Sequence, residues 1–247
     1  MLQSSKGNED ISKQPKPRIL LCATGSVASV KIPQLAIALS ERYQVKILLT
    51  KTAQHFVFKV SKTYDPTSKN WINVVETNNG PHDNDGDSSS CCSSSTTSSS
   101  ADNEGNGKHS VIYVDDDEWK YQKIGDPVLH IELRKWADLL VVAPASANTI
   151  AKLASGLSNN LITCVARAWN FSDPIIVCPA MNTLMWEHPF TKQHLDVLLG
   201  VGYQIVQPVT KTLACGDTGK GAMASIDTII ATVDAALGAV ITRDSEK

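Results

Sequence analysis

The chain has 247 residues, 42% of them hydrophobic and 19% charged, with a formal net charge of -2. That length is a prior for one domain with an ordinary core. The near-neutral balance argues against a general nucleic-acid binder, and no apolar run approaches the ~18 residues of a membrane span. The polar start, carrying Asn8-Glu9-Asp10, fits neither a signal peptide nor an acid-poor transit peptide. Six cysteines without paired spacings make no disulfide framework, so the expectation is a reduced, cytoplasmic protein with no membrane or nucleic-acid partner.

Residues 1–16 read as a disordered tail. Arg18 to Ala23 is a buried strand that meets a turn at Thr24-Gly25-Ser26. Val27 to Arg42 has helical spacing, Val45 to Thr50 is a second strand, and Thr52 to Val60 a short helix. Next comes a segment unlike the rest. Between Asp83 and Asp117 the charge is -7, which leaves +5 on the remainder, and nine of the thirteen residues from Ser88 to Ser100 are Ser. Such a stretch buries too little apolar surface to offset its ordering entropy, so residues 77–110 are expected to be a disordered insertion. The Cys91-Cys92 pair inside it lacks any metal-ligand spacing and reads as inert.

Beyond the insertion, His130 to Ala137 is helical and Leu139 to Ala143 is an apolar strand ended by Pro144. Helices follow at Ala147 to Leu153 and Asn160 to Trp169. A strand at Ile175 to Cys178 ends at Pro179, then come a helix at Phe190 to Leu199, a strand at Tyr203 to Val206 and a helix at Ile226 to Ala239. Residues 241–247 read as a tail. Strands apolar on both faces and alternating with helices predict an α/β fold. We expect a single doubly wound parallel sheet, a flavodoxin- or Rossmann-like three-layer sandwich spanning residues 17–240.

Ligands of such sheets bind beyond the carboxyl ends of the strands. Gly25-Ser26-Val27 opens a helix there, and a helix start offers unpaired N–H groups to an anion. Ser146-Ala147-Asn148-Thr149 repeats that chemistry after a later strand. Neither G-x-G-x-x-G nor a P-loop is present, so each turn alone is equally an ordinary Ser-capped helix start. Together on one edge they suit a mononucleotide phosphate. Cys22, Cys164 and Cys178 lie in apolar runs and read as core thiols. His188 and His194 have no zinc spacing, so no metal is expected.

Four stretches are more specific. They are Pro179-Ala-Met-Asn-Thr-Leu-Met-Trp186, Leu129-His-Ile-Glu-Leu-Arg-Lys-Trp-Ala-Asp138, Ser146-Ala-Asn-Thr149 and Ala214-Cys-Gly-Asp-Thr-Gly-Lys-Gly-Ala-Met223. In this set the chain resembles the flavin-containing cysteine decarboxylases, and among them the eukaryotic phosphopantothenoylcysteine decarboxylases of coenzyme A synthesis. The resemblance covers about residues 17–236 outside the insertion.

It implies FMN as cofactor, held by Gly25, Ser26, Val27, Thr50, Phe56, Ser146, Ala147, Asn148, Thr149 and Ala180. It implies His130 as the active-site histidine and Cys215 as a proton donor on a flap. Asn182 would hold the substrate carboxylate, with Arg134 and Lys135 contacting substrate. Relatives usually carry Arg-Arg where this chain has Arg134-Lys135, and Lys cannot supply the planar fork of Arg. The implied assembly is a homotrimer with sites between subunits. The implied reaction takes 4'-phosphopantothenoylcysteine to 4'-phosphopantetheine. Oxidising the thiol to a thioaldehyde places an electron sink β to the carboxylate, and CO2 loss leaves an enethiolate to be protonated.

Two rivals share the fold. Some fungal relatives inhibit a protein phosphatase or supply one subunit type of a mixed trimer. Here His130, Asn182 and Cys215 occur in one chain, although a phosphatase partner stays open as the alternative. A flavin prenyltransferase should lack the Pro179–Trp186 and Ala214–Met223 stretches.

Overall fold

The computed structural model describes residues 16–65, 75–77, 110–213, 216 and 218–245, with side chains omitted at 75–77, 110 and 240–245. The strands in chain order are β1 Arg18–Ala23, β2 Gln44–Leu49, β3 Val75–Thr77, β4 Ser110–Val114, β5 Leu139–Ala145, β6 Ile175–Pro179, β7 Gln204–Ile205, β8 Val209–Thr212 and β9 Thr218–Ala222. The α-helices are α1 Ile32–Ser40, α2 Lys51–Gln54, α3 Ser61–Tyr64, α4 Leu129–Trp136, α5 Ala147–Ala154, α6 Leu161–Arg167, α7 Thr183–Glu187, α8 Pro189–Val201 and α9 Ile226–Ser245.

Seven strands form one sheet in the order β3-β4-β2-β1-β5-β6-β7, every pairing parallel. The chain runs outward from β1 to β2 and then returns to place β5 on the other flank of β1. The gap between β1 and β5 is therefore the topological switch point. Alternate residues of β1 feed two cores. Ile19, Leu21 and Ala23 pack with α1 and α9, while Leu20 and Cys22 pack with α4, α5, α6 and α8. Both faces are covered, which is why these strands are continuously apolar.

β5 does not stop at Pro144. It continues to Ala145 across a cis Ala143–Pro144 peptide, with its register to β6 shifted between Val142 and Ala145. β6 likewise includes Pro179. Pro lacks a donor but keeps its carbonyl, so it is tolerated where the ladder ends. Thr52 to Val60 is helical as expected, but α2 and α3 are joined by a π-helical segment, His55–Val60. The closing helix runs to Ser245, into the stretch read as a tail.

The insertion expected at 77–110 falls almost wholly outside the described residues. Its two ends, however, are strand residues, since Thr77 closes β3 and Ser110 opens β4. Asp115, Asp116 and Asp117, counted with the acidic insertion by sequence, belong to the ordered 3-10 turn Asp115–Lys120 that follows β4. β8 and β9 form a separate antiparallel hairpin that hydrophobic periodicity did not reveal, because β8 is short and exposed and β9 is short and carries two glycines.

Candidate functional site

The carboxyl ends of four adjacent strands are laced together. Thr50 N–H donates to Ala23 O (3.1 Å), Thr24 N–H to Pro144 O (3.2 Å) and Ala180 N–H to Ala145 O (3.0 Å). The Thr24 hydroxyl, fully buried, donates to Pro144 O (2.9 Å) and accepts from Ser146 N–H (2.8 Å). Ser29 Oγ in turn donates to Thr24 O (2.8 Å). Thr24 therefore sets the two turns of the switch point against each other. Sequence reading placed Thr24 at the strand-end turn but gave it no role, because nothing in a lone Thr signals a cross-strand bond to a residue 120 positions away.

Each turn is closed by a side-chain cap. Ser26 accepts from Ala28 N–H at the start of the 3-10 turn Val27–Lys31 (3.4 Å). Ser146 accepts from Thr149 N–H at the start of α5 (3.3 Å), and Thr50 from Ala53 N–H at the start of α2 (3.3 Å). Gly25, Val27 and Asn148 are exposed on this edge, Ala147 and Phe56 are half-buried, and Thr149 and Ala180 are buried. A Cβ at Gly25 would lie 2.5 Å from Thr52 Oγ1, so only glycine leaves this close approach open. Two capped helix starts and a glycine approach at the switch point match the donors that a flavin mononucleotide phosphate requires. The residues present fit that group. Gly25, Ser26, Val27 and Ser146 to Thr149 form the two turns, with Thr50 and Ala180 next to them in the lacing.

Asn182 follows β6. Its side-chain oxygen accepts from Leu184 N–H (2.8 Å) and caps α7, which fixes the amide at the helix start. The β8–β9 hairpin lies over this loop, with Met181 N–H donating to Gly221 O (2.9 Å). A side chain at Gly219 would overlap Thr183, and one at Gly221 would overlap the Met181 carbonyl. The glycines of the Ala214–Met223 stretch thus allow the hairpin to press against the Asn182 loop. Lys220 Nζ lies 5.4 Å from the Trp186 ring centroid and ties the same two segments together. Cys215 falls outside the described residues. Its flanking strands are described, with Thr212 and Thr218 hydroxyls 3.1 Å apart across the hairpin.

His130 stands in the first turn of α4, and Nδ1 is 2.5 Å from Glu118 Oε1. Arg134, four residues on, shares that helix face. Lys135 points elsewhere and pairs with Glu132 (3.1 Å) on the exposed side. Within this chain, Arg134 rather than Lys135 accompanies His130. Glu118 is the functional neighbour that sequence reading missed, because it lies next to an acidic run that looked like solvated charge.

Among the thiols, Cys22 and Cys178 are buried. Burial pushes both up, Cys178 to about 12. Cys164 is only half-buried, unlike the core position expected for it, and its Sγ lies 3.4 Å from Ser158 O. Its thiol is raised by burial first, then by Glu118 and Asp115.

The flavoprotein family model matches residues 8–238. The phosphopantothenoylcysteine decarboxylase of Oryza sativa subsp. japonica is 42% identical over 225 residues, covering 91% of this chain and 82% of that protein. A solved PPC decarboxylase, a cysteine-to-serine mutant complexed with pantothenoylaminoethenethiol, is 42% identical with a TM-score of 0.68. The match covers 88% of this chain and 96% of that one. The FMN binding protein AtHal3 is also 42% identical, with a TM-score of 0.65, over 88% and 95% of the two chains. The chain therefore belongs to the flavoprotein family, together with its phosphopantothenoylcysteine decarboxylase members.

Proposed function

We propose that this chain is an FMN-dependent decarboxylase that converts 4'-phosphopantothenoylcysteine to 4'-phosphopantetheine in coenzyme A biosynthesis. One observation carries the reading. The ends of β1, β5 and β6 bring two Ser-capped helix starts beside the Asn182 loop, against which the β8–β9 hairpin is pressed. The identity to decarboxylases over nine-tenths of the chain supports it.

When bound, FMN supplies reversible two-electron redox chemistry at the substrate's thiol-bearing carbon. The protein's own groups do the rest. The Ser26 and Ser146 turns hold the cofactor phosphate by N–H and hydroxyl donation. The Asn182 amide, held at the start of α7 through its oxygen, would meet the substrate carboxylate. A neutral donor orients that carboxylate without the full positive charge that would stabilise it against CO2 loss. His130 works at the substrate thiol, Arg134 adds positive charge for an anionic substrate, and Cys215 returns a proton to carbon.

The proposal includes a homotrimer in which a second copy completes each site. Trp119, next to Glu118 in the 3-10 turn, and Ile124, in the segment leading to α4, are 83% and 98% exposed, and Leu184, two residues after Asn182, is 75% exposed. Exposed apolar side chains around a polar site support a covering copy. A cytoplasmic location belongs to the same reading, supported by the free thiols Cys22, Cys164 and Cys178.

The purified protein should release FMN on denaturation, have the mass of a trimer and evolve CO2 from 4'-phosphopantothenoylcysteine. Cys215→Ser should still evolve CO2 but accumulate an oxidised, unsaturated product. A colourless protein that cannot be reconstituted with FMN would overturn the proposal. A phosphatase-inhibiting role, the alternative, would show as inhibition by a preparation with no decarboxylase activity.

A further inference from the structure

We propose that Glu118 is a positioning residue that holds His130 in one tautomer and one orientation. The proposal rests on the reading of His130 as the group acting at the substrate thiol. The 3-10 turn Asp115–Lys120 is anchored by two neighbouring carboxylates with other duties. Asp117, buried, accepts from Val114 N–H (2.8 Å) and pairs with Lys120 (2.9 Å). Asp115 accepts from Leu161 N–H at the start of α6 (3.1 Å). With the first half of the turn fixed to α6 through Asp115 and to the end of β4 through Asp117, Glu118 is delivered to His130 across twelve residues of chain. The pair is largely sheltered, at 18% and 25% side-chain exposure.

A carboxylate only accepts, so the short Nδ1 contact places the imidazole proton on Nδ1 and leaves Nε2 as the basic nitrogen. Glu118 Oε2 is buried and has no hydrogen-bond partner among the described residues. A half-satisfied buried carboxylate is costly to keep for packing alone.

The test uses the FMN-loaded protein labelled with ¹⁵N-histidine, with His130→Asn identifying the His130 signals. The parent should show the Nδ1–H tautomer. Glu118→Gln, which keeps the shape and can present N–H to Nδ1, should shift the population toward the Nε2–H form. It should also lower kcat roughly 10–100-fold at unchanged KM and flavin content. Glu118→Asp should recover part of that loss, and Glu118→Gln should cost nothing further in a His130→Asn background. An unchanged His130 spectrum in Glu118→Gln, or independent losses in the double variant, would overturn the proposal. The nitrogen spectrum reads the pair even in a protein that does not decarboxylate, so failure of the functional reading is seen separately.

Discussion

The edge where flavin is expected and the edge that would act on substrate are built differently. The cofactor edge is closed within the chain. Its turns are capped by their own serines, and Thr24 ties them together from a fully buried position. The reactive edge is gathered from separate segments that press on one another. His130 relies on a turn after β4, and the Asn182 loop relies on a hairpin fitted through two glycines. It also carries the most exposed apolar side chains in its surroundings. Rigid pre-formed donors suit a permanently held cofactor. A surface completed by other segments suits a substrate that must enter and leave.

If the two edges are separable, damage to one should spare the other. His130→Asn should lower kcat by about 10³-fold, within the range for a general acid–base group, while flavin absorbance and oligomer mass stay unchanged. Loss of flavin in that variant would break the distinction. Thr24→Val should do the reverse. It strands the Ser146 N–H, lowers stability by about 2 kcal/mol in urea unfolding and weakens FMN retention. Wild-type stability with normal flavin binding would show that the lacing is dispensable. The smallest effect concerns the thiols. In the native protein Cys164 should be alkylated before Cys22 and Cys178, as read by peptide mass spectrometry. All three have raised pKa values, so the thiolate fraction and the labelling rate of Cys164 should rise with pH across the alkaline range. Labelling of Cys178 ahead of Cys164 would contradict the burial described.

Local sequence carried much of the architecture. The apolar runs at β1, β2, β5 and β6 alternate with helices, and an apolar run needs cover on both faces wherever it lies. The same locality made the Ser26 and Ser146 turns visible, since a cap is a contact between residues two or three apart. The resemblance then attached roles to residues such as Asn182 and His130 that periodicity leaves silent. β3 and β4 were not legible, because a three-residue strand and a strand adjoining an acidic Ser-rich stretch carry little periodic signal.

The amino-acid order alone therefore determined the doubly wound sheet and the edge on which a ligand would sit. Both follow from burial patterns and caps written into neighbouring residues. Only the tertiary structure decided which carboxylate serves His130 and that Thr24 joins the two turns. Those contacts join groups brought together by folding, and electrostatic or hydrogen-bonded partners at such separations leave no spacing rule in the chain.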